Sequence, residues 1–231
     1  MKKIMFEQKR FGLEDAVLAR QKTMTRRTAK LPADLEPQDV WNPVMGIDER
    51  GWVYFTLDRI DGKQLDLYPQ YRVGETVAVA QAYSDIIALV TSTITPHSHD
   101  WMRTEQGWNN KMFVKARHMP HQIRITNIKL ERLQDITDED CRKEGIIPIT
   151  FRQWHKQDFD DLSPQRYTDH DVWTLPKFRE GIEDSWAESE PDEYMAETPQ
   201  VAFAVLIFKL MGRKVWERNP WTWAYEFELV K

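Results

Sequence analysis

The segment Asn219-Pro220-Trp221-Thr222-Trp223-Ala224-Tyr225-Glu226-Phe227-Glu228-Leu229 alternates bulky residues with small or acidic ones. Trp221, Trp223, Tyr225, Phe227 and Leu229 fall on one side of an extended chain, with Ala224, Glu226 and Glu228 on the other. The pattern predicts a half-buried strand with a heavily aromatic inner face, entered through Asn219-Pro220.

Working back from this strand, Thr198-Pro199 has the form of a helix start, with Thr as N-cap and Pro in the first turn. The helix it opens is strongly apolar (Val201, Val205, Leu206, Phe208, Leu210) and Gly212 ends it. Gln122 to Arg132 alternates through Ile123 and Ile125, then Ile128 and Leu130, and the change of phase at Asn127 predicts a bulge. Further strands are expected at Ile4–Phe6, Gly51–Ile60, Glu75–Tyr83 and Lys111–Ala116. The proline-rich stretch from Thr28 to Asp48 reads as loop. A short helix is expected around Leu13, Val17 and Leu18, with Glu14 and Asp15 in its first turn. Mostly antiparallel strands with interspersed helices predict an α+β fold, a curled sheet or small barrel.

Composition narrows the function classes. The 231 residues include 41% hydrophobic and 30% charged, with ten Trp, ten Phe and seven Tyr. That is enough for a real core and a single domain spanning 1–231. A net charge of −5 argues against a protein that coats duplex nucleic acid by bulk electrostatics. The charge is uneven, however: residues 1–30 carry nine Lys/Arg against three Asp/Glu, and residues 152–197 carry five against thirteen. A basic face beside an acidic flap keeps small anionic or nucleotide ligands open. Cys141 is the only cysteine, so neither an internal disulfide nor a Cys-based zinc site is expected. The opening apolar residues are cut short at Glu7, and no apolar run approaches the ~20 residues of a bilayer span. A cytoplasmic location with no membrane partner is the reading.

The basic octet Arg20-Gln21-Lys22-Thr23-Met24-Thr25-Arg26-Arg27 follows the first helix. By itself it reads as a solvated turn whose cations complement a helix C-terminus. Further on, Ile136-Thr137-Asp138-Glu139-Asp140-Cys141-Arg142-Lys143-Glu144-Gly145 is a punctuated short helix. Thr137 is the expected N-cap, with Asp140 as a capping-box variant, Ile136 and Cys141 as the staple and Gly145 as the C′ residue. Glu144 is the anomaly, because a carboxylate in the last turn faces the negative end of the helix dipole.

Together Lys22-x-x-Thr25-x-Arg27, the Gly74-Glu75 strand entry, the Ile136-Thr137…Glu144-Gly145 helix and the closing Trp223-Ala224-Tyr225-Glu226-Phe227 strand resemble the ASCH domain family. Arg20 stands at the place where that family's pattern carries glycine. Asn219-Pro220-Trp221 and Leu133-Gln134-Asp135-Ile136 are similar to its larger, phage- and prophage-associated members. The resemblance implies a PUA-like, mostly antiparallel β-barrel with flanking helices and insertions at about 84–110 and 150–197. It implies an RNA or nucleoside-like small-molecule partner bound in a pocket around Lys22, Thr25, Arg27 and Glu144, with Arg26 and Arg27 as ligand-binding residues.

One branch of that family removes the acetyl group from N4-acetylcytidine. On its pattern Lys22, Thr25 and Glu144 are the catalytic set: Thr25 as nucleophile, Lys22 as its activator or an oxyanion donor, Glu144 as proton carrier. No cofactor and no metal is implied. His118-x-x-His121 straddles Met119-Pro120 and so lies on a turn, and His97 and His99 lie in the excursion between 84 and 110. A third reading makes the acidic insertion at 150–197, with Trp154, Trp173 and Trp186, a docking surface for a protein partner.

Overall fold

The computed structural model describes residues 1–91, 100–154, 167–175, 177 and 195–230. In chain order the elements are β1 (Lys3–Ile4), α1 (Leu13–Leu18), β2 (Met24–Thr28), β3 (Val40–Ile47), β4 (Val53–Arg59) and β5 (Gln64–Leu67). Then come β6 (Thr76–Val79), α2 (Tyr83–Thr91), β7 (Gln122–Arg132), α3 (Asp138–Lys143), β8 (Ile147–Trp154) and β9 (Tyr167–Thr174). The chain closes with α4 (Pro199–Met211), α5 (Arg213–Arg218) and β10 (Trp221–Leu229).

The aromatic strand β10 is an interior strand, next to the edge strand β2, in a five-stranded sheet of order β1-β6-β7-β10-β2. It runs antiparallel to both neighbours, which sets Tyr225 opposite Thr25 on one side and Ile128 on the other. Between Glu226 and Phe227 the partners on β7 jump from Asn127 to Ile125, so the bulge falls where the apolar phase changes. The outward residues of β10 are less exposed than alternation alone suggests. Thr222 and Ala224 are buried as well as the aromatic set, because helices cover that face too. Among them is α4, whose Phe203 ring lies 5.7 Å beneath the Arg26 guanidinium.

The aromatic face of this sheet meets a second, three-stranded sheet of order β3-β4-β5. Phe55 packs edge-on to Trp223 at 5.7 Å and Tyr71 edge-on to Tyr225 at 5.1 Å. Such pairs are worth about 0.5–1.5 kcal/mol each beyond their area. β8 and β9 form a separate two-stranded sheet.

These are open sheets, so the fold is α+β but the expected PUA-like barrel is not formed. Closure would need a strand on the free edge of β2. Beyond Thr28 the last ladder-like bond is Ala29 N–H to Trp221 O, at 2.8 Å. The chain then turns through Pro32 and Pro37, which have no N–H to offer a neighbour. The start of β2 is tied to α3 instead, since Thr23 N–H donates to Lys143 O at 2.8 Å.

Several local expectations change. Part of the proline-rich loop is strand β3, which tolerates Pro43 because it is an edge strand whose register slips between Trp41 and Val44. Tyr83 starts helix α2, so the strand before it is only Thr76–Val79. Lys111–Ala116 is not a strand: short 3₁₀ turns occupy it, and the Asn110 side chain accepts Met112 N–H at 3.0 Å in place of a ladder partner. Of the insertion at 150–197, β8 and β9 supply a hairpin and Trp173 is half-buried with Arg142 5.0 Å over its ring. The side chain of Trp154 and the whole of Trp186, like His97 and His99, lie outside the described residues. Among the described residues no helix is long and apolar enough to cross a membrane.

Candidate functional site

The basic octet is not a solvated turn. Lys22 is 2%, Thr25 4% and Arg26 8% exposed. After α1 the backbone turns inward, with Gln21 and Lys22 N–H both donating to Ala16 O at 2.8 and 3.0 Å. Arg20, at the turn, takes φ 61. That left-handed conformation is one glycine adopts freely, and Arg20 holds it with its guanidinium donating to Leu229 O at 2.9 Å. The turn delivers Lys22 into the interior ahead of β2.

From the other side comes the short helix α3. Thr137 Oγ accepts Asp140 N–H at 3.1 Å, as an N-cap should. Gly145 at φ 99 reverses the chain, and Ile136 and Cys141 are buried beneath. The capping-box role expected of Asp140 is not taken up. Its carboxylate accepts from the Arg26 guanidinium at 3.1 Å and lies 3.3 Å from Lys129 Nζ.

At the helix end the two pieces meet. Lys22 Nζ donates to Glu144 Oε2 at 2.5 Å and to the Glu144 backbone carbonyl at 2.6 Å. Glu144 is 3% exposed, and its other oxygen accepts from Arg26 Nη1 at 3.2 Å. Two cations therefore offset the unfavourable dipole position. Arg26 also donates to Glu131, so one guanidinium joins three carboxylates. Burial alone would lower the pKa of Arg26, but Glu144, Glu131 and Asp140 together raise it. For Lys22 the balance is reversed. Burial dominates the attraction of Glu144, Arg27 and Arg26 add repulsion, and its pKa falls below the usual 10.5.

Thr25 and Arg27 lie on the opposite face of β2 from Arg26, beside Tyr225 and Trp223. Among the described residues the Thr25 hydroxyl has no hydrogen-bond partner, and neither Lys22 nor Glu144 reaches it. Arg27 donates to Met5 O at 2.5 Å and lies 5.9 Å over the Phe6 ring. Its pKa is lowered by burial. Thus Lys22, Arg26 and Glu144 form one buried cluster, while Thr25 and Arg27 sit on the other side of the same edge strand. The acids that organise Arg26, Glu131 and Asp140, escape sequence reasoning. The sheet register, with Ala224 opposite both Arg26 and Lys129, places Glu131 on the Arg26 face, and α3 brings Asp140 to it.

The other candidates separate from this cluster. His118 packs against Trp101 at 4.8 Å, and His121 Nδ1 is 2.6 Å from Gln81 Oε1. Among the described residues no group of His, Cys, Asp or Glu could hold a metal ion. Cys141 is fully buried and its thiol is pushed up to about 12, chiefly by burial. No family model, curated protein or solved structure matches the chain.

Proposed function

We propose that the Lys22–Glu144 pair, with Thr25 and Arg27 across the edge strand, forms a pocket for RNA or a nucleoside-like small molecule. The observation that carries this reading is the buried Lys22–Glu144 ion pair at the entry to β2, the strand that carries Thr25 and Arg27 on its other face. A nucleobase edge offers donors and acceptors side by side, matching a hydroxyl, an ammonium and a carboxylate. Because the polar groups are so little exposed, ligand entry requires local opening at the edge of β2.

Amide hydrolysis of an N4-acetylcytidine-like substrate is the second reading, favoured by the lowered pKa of Lys22. The local opening at β2 has to bring the Lys22 amine, which among the described residues bonds only Glu144 in the closed structure, up to the Thr25 hydroxyl; in its neutral form the amine then takes the Thr25 proton as Oγ attacks the acetyl carbonyl. The C–N bond then breaks with proton return to the leaving amine, and water releases acetate from Thr25.

The test is thermal denaturation with nucleosides and short single-stranded RNA, paired with product analysis after incubation with N4-acetylcytidine. Wild type is compared with Lys22→Ala, Thr25→Ala and Glu144→Ala. Binding predicts a raised midpoint that Thr25→Ala abolishes; no shift with any of these compounds overturns it. Acetate release by wild type alone supports turnover, and its absence removes the hydrolytic reading for that substrate.

A further inference from the structure

A second polar hollow, of about 310 Å³, opens where the entry to β4 meets the β5–β6 connection. Lys2, Arg50, Trp52, Tyr68, Gln70 and Arg72 line it, and none of them belongs to the Lys22–Glu144 cluster. Its floor is fixed by the backbone of Gln70. The amide donates to the Tyr225 hydroxyl at 2.9 Å, and the carbonyl accepts from Lys2 Nζ at 2.5 Å.

Three of the lining residues are cations, and two of these are held by acids. Arg50 lies 3.3 Å from Asp48, and Lys2 lies 3.1 Å from Glu75. The Arg72 backbone N–H donates to Glu75 at 3.0 Å, but its guanidinium has no carboxylate partner among the described residues. This guanidinium lies 3.4 Å from the centre of the Trp52 ring, and that of Arg50 lies 4.3 Å from it. Tyr68 is 49% exposed and stacks on Tyr54 at 5.5 Å.

An uncompensated guanidinium suits an oxyanion, and a planar fork suits a phosphate in particular. Guanidinium planes and exposed aromatic rings are also the surfaces on which unpaired bases stack. A hollow of this size is at the small end of ligand pockets, which fits one nucleotide and excludes a duplex. We propose that it binds a single nucleotide unit, with the phosphate on Arg72 and Arg50, which Trp52 holds in place, and the base against Tyr68. The unit comes either free or as part of an unpaired strand. The assignment stands independently of the function given to Lys22 and Glu144.

Calorimetric titration of the full chain tests it with three probes: adenosine 5′-monophosphate, a short single-stranded oligoadenylate, and adenosine lacking phosphate. Arg72→Ala and Tyr68→Ala alter exposed side chains, and circular dichroism verifies that both variants remain folded. The monophosphate or the oligonucleotide should bind, and adenosine should bind more weakly. Arg72→Ala should weaken binding about tenfold and reduce the salt dependence of the oligonucleotide by roughly one phosphate contact. Tyr68→Ala should weaken it about five- to a hundredfold. Since nucleosides and single-stranded RNA are also the probes of the Thr25 site, each titration is repeated in a Thr25→Ala background, where the component that depends on Arg72 and Tyr68 should persist. Binding of the monophosphate identifies a free nucleotide as sufficient, and binding of the oligonucleotide alone identifies a strand. If neither phosphate-bearing probe binds, or both variants bind as wild type does, the proposal is overturned. It is equally overturned if Thr25→Ala abolishes binding while Arg72→Ala does not.

Discussion

Lys22 Nζ sits 2.5 Å from Glu144 Oε2 and 2.6 Å from the same residue's carbonyl oxygen, so one ammonium both neutralises the carboxylate and closes the end of α3. The pair joins positions 122 residues apart and fastens the helix to the edge strand. Removing either partner strands a buried charge. Lys22→Met or Glu144→Leu should each destabilise by about 3–5 kcal/mol. A Lys22→Met/Glu144→Leu double variant leaves no orphaned ion of the pair, and should cost less than the summed single losses by about 0.5–3 kcal/mol. Urea denaturation of the full cycle measures this. Strict additivity would mean that the two side chains contribute independently.

The pair also makes a pH prediction. Burial pulls the Lys22 pKa below 10.5 in the folded protein, and Glu144 only partly opposes it. Between the folded value and 10.5 the unfolded chain therefore binds more protons than the folded one, so stability rises with pH across that window. Below the folded pKa, both states are protonated at Lys22 and the penalty for burying the charge is fully present. Other lysines titrate in the same range, so the informative quantity is a difference. Urea midpoints of wild type minus those of Lys22→Met/Glu144→Gln should climb through the alkaline range. A difference that is flat or falls with pH would contradict the inverted balance at Lys22.

How far these features are legible in the chain depends on the range of the interaction. The strand β10, the Thr137 cap and the reversal at Gly145 each follow from a few adjacent residues, and each is observed. Barrel closure is a pairing between distant edges that no single segment encodes, and that expectation fails at β2. Local energetics mark Glu144 as misplaced, yet its partners are not visible there. Lys22 comes forward through a family resemblance and Arg26 as a secondary ligand-binding residue. The central position of Arg26, bonded to Glu131, Asp140 and Glu144, depends on sheet register that no single segment encodes.

Cys141 should behave as a packing residue. It is fully buried and its thiol is pushed up to about 12, so the reactive thiolate is scarce at neutral pH. A thiol-specific reagent should label it only under unfolding conditions, at a rate that tracks denaturant. Cys141→Ala should cost about 1 kcal/mol through lost packing beneath α3. Rapid stoichiometric labelling of the native protein would show that this end of the helix opens readily.

Gly145 ties backbone geometry to the same ion pair. At φ 99 it holds a conformation that side chains rarely adopt, and an added Cβ would lie 3.5 Å from Lys22 Cβ. The contact itself is ordinary, so the cost of Gly145→Ala comes mainly from the backbone and should exceed about 1 kcal/mol. Gly62 provides the comparison, since it also has a positive φ, of 76, but a Cβ added there would meet nothing within 4 Å. Relief of the strain at Gly62 can be local. At Gly145 any shift in φ moves Glu144 relative to Lys22 and weakens two bonds of the buried ammonium at once. Gly145→Ala should therefore destabilise more than Gly62→Ala, and the excess should shrink in the Lys22→Met/Glu144→Leu background. Equal losses in both backgrounds would separate the turn from the pair.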